Sequence, residues 1–118
     1  MNEERSANFI ESHRCPVQYT FDIIGGKWNL PIVWQLGQEE FVRYNELRRR
    51  LDGISNVMLA KCLKELENSG IVIRTQHNEI PPRVEYSLSE KGKSLQQALA
   101  ALANWGREQM ALEDSAQK

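Results

Sequence analysis

Arg43-Tyr44-Asn45-Glu46-Leu47-Arg48-Arg49-Arg50-Leu51, then Asp52-Gly53, then a stretch of helical period opening at Ser55, then Ile80-Pro81-Pro82-Arg83: this run decides the fold. In its first segment Tyr44, Leu47 and Leu51 fall at i, i+3 and i+7, on one side of a helix. Asp52-Gly53 is a turn dipeptide, and Ser55 is a good N-cap. Beyond it Leu59, Leu63 and Leu66 recur at i, i+4 and i+7 until Gly70 ends the helix. Ile71-Val72-Ile73-Arg74-Thr75 and Arg83-Val84-Glu85-Tyr86-Ser87-Leu88 are β-rich and joined by a polar, Pro-containing loop. Helix, short turn, helix and two-stranded flap make a winged helix-turn-helix, so the class expected is mainly α with a small β-hairpin (α+β).

Upstream, Pro16 suits the first position of a helix and puts Cys15 at its N-cap. Val17, Thr20, Phe21, Ile23 and Ile24 give that helix an apolar side before Gly25-Gly26 stops it. A second helix is expected from about residue 27 to 36, burying Trp28, Ile32, Val33 and Leu36. Pro31 removes a backbone donor there, so it belongs in the first turn or at a kink. Phe41-Val42 reads as a short extended piece. Downstream, Ser89 caps a final helix carrying Leu95, Leu99, Leu102 and Trp105. The organisation expected is a polar arm at 1–14, one domain at 15–110 and a tail at 111–118.

At 118 residues and 41% hydrophobic, the chain suits one domain with a modest core. The net charge of −1 hides an uneven distribution. Residues 1–42 carry three Lys/Arg against six Asp/Glu, whereas residues 43–64 carry six against two. Such a concentrated basic block is an electrostatic footprint for a polyanion. No apolar run approaches membrane-spanning length. The N-terminus lacks the basic start and apolar stretch of a signal peptide, so the location expected is the cytoplasm. Cys15 and Cys62 are then free thiols by default.

With its leucines turned inward, the fourth helix shows Asn56, Val57, Ala60, Lys61 and Lys64. Asn pairs with adenine edges, Lys with guanine edges or phosphate, and Val with a thymine methyl. Ser55 and the first backbone N–H groups can meet a phosphate. Arg43, Asn45, Arg48 and Arg49 supply the basic flank. His77 and Arg83 are expected at the hairpin tip, with Arg83 reaching phosphate or a minor groove. An ordinary amphipathic surface helix is the bland alternative, but its position between a basic helix and a hairpin favours DNA.

Catalytic signatures are missing: there is no Gly-rich phosphate loop, HExxH, CxxC or nucleophile elbow. Glu65 and Glu67 stand two apart on a helix and point in different directions, so the chain reads as a binder and not an enzyme. His13, Cys15, Cys62 and His77 match no standard zinc spacing, so neither metal nor cofactor is expected. Cys15 stays open between two readings. A helix N-terminus favours thiolate and hence reactivity, whereas most free cysteines are small buried apolar residues. Cys62 reads as a flank residue beside the Leu59/Leu63 stripe or as a second thiol.

On these residues the chain resembles the HxlR-type winged-helix regulators. The matching elements begin with Cys15-Pro16-Val17, Ile24-Gly25-Gly26-Lys27-Trp28 and Tyr44-Asn45-Glu46-Leu47-Arg48. They continue through Gly53-Ile54-Ser55, Met58-Leu59, Leu63-Lys64-Glu65-Leu66-Glu67 and Gly70-Ile71-Val72. The closing string is Pro81-Pro82-Arg83-Val84-Glu85-Tyr86-Ser87-Leu88-Ser89, followed by Lys91-Gly92 and Trp105-Gly106. The resemblance implies a homodimer joined through the first and last helices, with Leu95, Leu99, Leu102 and Trp105 supplying much of the surface. It also implies electrophile or oxidant sensing at the position of Cys15. Three departures stand out: Cys62 at a place that is usually polar, Pro31 in the second helix, and Gln76-His77-Asn78 at the hairpin.

The expected function is therefore a homodimeric, sequence-specific DNA-binding transcriptional regulator, reading a palindromic operator and responsive to a small electrophile or oxidant. The rivals are control by a reversible small ligand, and a winged-helix module that binds protein instead of DNA.

Overall fold

Ser55 and Ser89 start the two longest helices by the same device. The Ser55 hydroxyl accepts the Met58 N–H at 3.1 Å, and the Ser89 hydroxyl accepts the Gly92 N–H at 3.0 Å. Each bond satisfies one of the N–H groups that a helix start leaves unpaired, worth about 1 kcal/mol. The computed structural model describes residues 14–117. Along them run α1 (Pro16–Ile24), α2 (Asn29–Leu36), β1 (Val42–Arg43), α3 (Tyr44–Arg50), α4 (Asn56–Asn68), β2 (Val72–His77), β3 (Arg83–Leu88) and α5 (Glu90–Ala116). The arm expected at 1–14 lies outside the described residues except for Arg14.

The three strands form an antiparallel sheet in the order β1-β3-β2, with Val42 opposite Tyr86, Arg43 opposite Glu85, and His77 opposite Arg83. Alternation puts Val42, Val72, Tyr86 and Leu88 on the inner face, where all four are buried. Arg43, Thr75, His77, Arg83 and Glu85 share the outer face. Against the inner face lies one core: Ile32, Val33 and Leu36 from α2, Leu47 from α3, and Leu59, Leu63 and Leu66 from α4. Each such side chain contributes about 1.5–3 kcal/mol through removal from water.

Turns fix the helix pair that matters. Gly53, at φ +89°, takes the left-handed conformation between α3 and α4. Gly70, at φ +78°, closes α4: its N–H bonds to the Glu67 carbonyl at 3.0 Å and the Ile71 N–H to the Leu66 carbonyl at 2.9 Å. This Schellman arrangement satisfies two carbonyls that would otherwise be left at the helix end. Ser89 then binds back to the same junction, its N–H donating to the Ile71 carbonyl at 3.0 Å and its hydroxyl to the Gly70 and Ile71 carbonyls. Lys91 Nζ donates to the Ser69 carbonyl at 2.9 Å. The end of α4 and the start of α5 are thus one hydrogen-bonded joint.

Several expectations need correction. Trp28 is the N-cap of α2, so the helix starts at Asn29 and not near residue 27, while Pro31 sits in its first turn as expected, where a missing N–H costs nothing. β2 continues through His77, which therefore lies in the ladder and not at the hairpin tip. α5 extends to Ala116, so most of the stretch set apart as a tail at 111–118 is helix. Leu99 is 8% exposed and joins the core, with Leu95 packed partly buried against it. Within the single chain Leu99 thus serves the interior and Leu95 does so in part, because α5 lies with its first half against the rest of the fold. α1 buries only Ile24 and leaves Val17 and Phe21 exposed.

Candidate nucleic-acid interface

The Leu59, Leu63 and Leu66 stripe turns the other side of α4 to solvent, and Asn56, Val57, Ala60, Lys61 and Lys64 all lie exposed there. Val57 is 81% exposed and leaves its two methyls open to solvent on this face. Ser55 has its hydroxyl engaged in the cap. Tyr44, at the start of α3, holds the start of α4: its hydroxyl lies 3.1 Å from the Asn56 carbonyl and 3.3 Å from Asn56 Oδ1. Sequence reading missed this contact, which spans twelve positions and follows only from how the two helices pack.

Arg43, Asn45, Arg48 and Arg49 are exposed on and before α3. Not all the cations of this block are free. Arg49 pairs with Glu46, while Arg50 pairs with Glu46 at 3.2 Å and with Glu39 at 2.8 Å. Hydrogen bonds from Arg50 and then Arg49 hold the Glu46 carboxyl below the usual carboxylate range. The Glu46 spacings to Arg49 and Arg50, i+3 and i+4, were visible in the sequence and would have revealed the pairing. Arg43, Arg48, Lys61 and Lys64 have no ion pair among the described residues.

Across a cleft from Arg43, Tyr44 and Asn45 stands the wing tip, with Glu79, Pro81, Pro82 and Arg83 on its far wall. His77 faces Glu85 at 2.6 Å, and Arg83 pairs with Glu79 at 3.3 Å and Glu85 at 3.5 Å. Both sequence candidates on the wing are therefore drawn onto carboxylates. Glu85 is itself buried, and neither it nor Glu79 was singled out in the sequence.

The thiols separate. Cys15 is exposed at the N-cap of α1, with no side-chain capping bond. Cys62 is 6% exposed within the core, and burial, reinforced by Glu65, pushes its thiol up. It is three residues from Leu59 and four from Leu66, which places it on the inward stripe. Leu102 and Trp105 remain 56% and 63% exposed, and Leu102 shares an apolar cleft with Pro16, Val17, Thr20, Phe21, Ile24 and Leu30. Among the described residues no group of His, Cys, Asp and Glu is placed to hold a metal, and no helix is long and apolar enough to cross a membrane.

Known proteins share this arrangement. The uncharacterised HTH-type transcriptional regulator YdzF of Bacillus subtilis is 41% identical over 102 residues, covering 86% of this chain and 94% of its own length. Among solved structures, the redox regulator HypR in its reduced form superposes with a TM-score of 0.78 at 38% identity, covering 85% of this chain and 98% of HypR. Diamide-treated YodB of B. subtilis superposes at 0.65 with 34% identity, covering 80% and 93%. The model of the HxlR-like helix-turn-helix family matches residues 23–114. The chain belongs to that family and is a winged-helix transcriptional regulator of HxlR type.

Proposed function

We propose that the protein acts as a homodimer whose two copies set α4 into major grooves of a palindromic operator. The observation that carries this reading is the outward face of α4, where Asn56, Val57 and Lys61 present an amide, a methyl pair and a cation opposite a buried leucine stripe. These groups suit base edges, while Arg43, Arg48 and Lys64 suit the phosphates on either side. Asn45 and Arg49 stand on the same rim. The second copy is supported by the exposed apolar residues of α1 and α5, chiefly Val17, Phe21, Leu102 and Trp105. A protein-binding module would instead want a broad apolar face on α4, and Lys61 and Lys64 interrupt it.

Selection from random duplexes tests the reading. The expected result is an enriched two-fold site with half-sites about 34–36 Å, or a multiple, apart. Recovery of no symmetric site overturns it.

Cys15 is the proposed input. It is the exposed thiol, and the resemblance to the redox regulator HypR and to YodB, whose structure was determined after diamide treatment, supports thiol chemistry over a reversible ligand. With a quinone or enal, the thiolate sulfur forms a bond to the electrophilic carbon. The C=C electron pair then shifts to the carbonyl oxygen, and a proton from water completes the adduct. The added bulk lies at the start of α1, beside the apolar surface assigned to the second copy. Cys15→Ser is expected to keep operator affinity and lose its response to electrophile, while Cys62→Ser keeps both. A Cys15→Ser protein that still responds fully would leave a reversible ligand as the better account.

A further inference from the structure

We infer that Glu85 is a positioning residue that withholds Arg83 from the DNA backbone and thereby limits sequence-independent binding. This rests on the DNA-binding reading above.

Glu85 is a buried carboxylate in the central strand of the wing, a place where an unpaired charge is costly. Its two oxygens are divided between two partners: Oε1 lies 2.6 Å from His77 Nε2 on β2, and Oε2 lies 3.5 Å from Arg83 Nε on its own strand. Arg43 stands opposite it on β1 and Thr75 opposite it on β2. Arg83 is held a second time, by Glu79 at 3.3 Å, and its side chain is only 28% exposed. Neither contact is a hydrogen bond, and Arg83 Nε has no hydrogen-bond partner among the described residues, so the two carboxylates act on the guanidinium by offsetting its charge. Arg48, in contrast, has no ion pair among the described residues. Cations that bind any phosphate raise affinity for every sequence alike, so the carboxylate lowers the sequence-independent part of binding by the one contact it withholds.

Salt dependence on a duplex of scrambled sequence reads this directly, because a purely structural role would change melting and leave the slope alone. Glu85→Gln keeps the shape and removes the charge. With Glu79 still beside Arg83, it is expected to steepen the plot of log affinity against log salt by at most about 0.9, so that tenfold more salt costs up to about eightfold more affinity than in the unsubstituted protein. In a background of Arg83→Ala the same substitution is expected to add no steepening. An equal change in both backgrounds, or none in either, overturns the inference. Should Glu85→Gln fail to fold, the single variants decide: Arg83→Ala is expected to flatten the slope much less than Arg48→Ala, and equal flattening overturns the proposal. If the unsubstituted protein shows no salt-dependent DNA binding, both this inference and the functional reading fail.

Discussion

α4 and α5 begin with the same serine cap and then diverge. α4 has 13 residues and buries Leu59, Cys62, Leu63 and Leu66, whereas α5 has 27 and buries only Gly92 and Leu99. The shorter helix has its apolar stripe satisfied inside the chain, so its outer face is free to be polar. The longer one carries Leu102, Trp105, Met110 and Leu112 into solvent. Exposed apolar area of that kind on a small domain is the mark of an interface. One helix is finished by folding; in the proposed dimer the other is finished by assembly.

Substitutions on each helix should therefore fail in different ways. Trp105→Glu, on α5, is expected to give a monomer with little change in melting temperature and an operator affinity lower by roughly 10²–10⁴-fold, since two linked reading heads outbind one. Light scattering and titration on the selected site check both parts, and a wild type that is monomeric at micromolar concentration breaks the comparison. Leu63→Ala, on α4, is expected to cost about 2–5 kcal/mol in chemical denaturation, because it empties a fully enclosed site. Asn56→Ala lies on the same helix but the opposite face. It is expected to leave folding nearly intact and to cost about 1–3 kcal/mol of discrimination against wrong bases. Uniform loss on all sequences would show that Asn56 does not read bases.

The smallest effect concerns acid. Glu46 has a folded-state pKa below its ordinary 4.5 because Arg50 and Arg49 donate to it. Its stabilising contribution is therefore present above that value and is lost as pH falls through the lower folded one. Acid titrations of wild type and Glu46→Gln should coincide above pH 4.5 in shape and diverge only below it, the wild type losing slightly more. Parallel curves throughout would mean that the pairing contributes nothing.

The order of elements was legible because each step has local chemistry: Ser55 caps, Gly53 and Gly70 turn, and the leucines of α4 keep a single period. Even the placement of Pro31 followed from its missing N–H. What escaped was set by distant partners. His77 read as a loop residue because the sequence does not show that β3 supplies Arg83 opposite it and Glu85 diagonally across. Leu95, Leu99, Leu102 and Trp105 form one uninterrupted stripe, and only the docking of α5 decides that the first two turn inward to the core. Cys62 was on the inward period all along, but a cysteine among lysines and glutamates gives little sign of its depth. Glu46 was legible from its i+3 and i+4 arginines, whereas the His77 partner of Glu85 appears only once β2 pairs with β3.

The joint where Ser89 and Lys91 bind the carbonyls of Ser69, Gly70 and Ile71, just past α4, makes α5 a handle on that helix. At 27 residues the handle is roughly 40 Å long. A swing of about 5° at that joint moves the far end of the handle by roughly 3.4 Å, the rise of one base pair. In the proposed dimer, leverage would turn a crowding event between two such handles into a phase error along the double helix, with no need for α4's outer face itself to change shape.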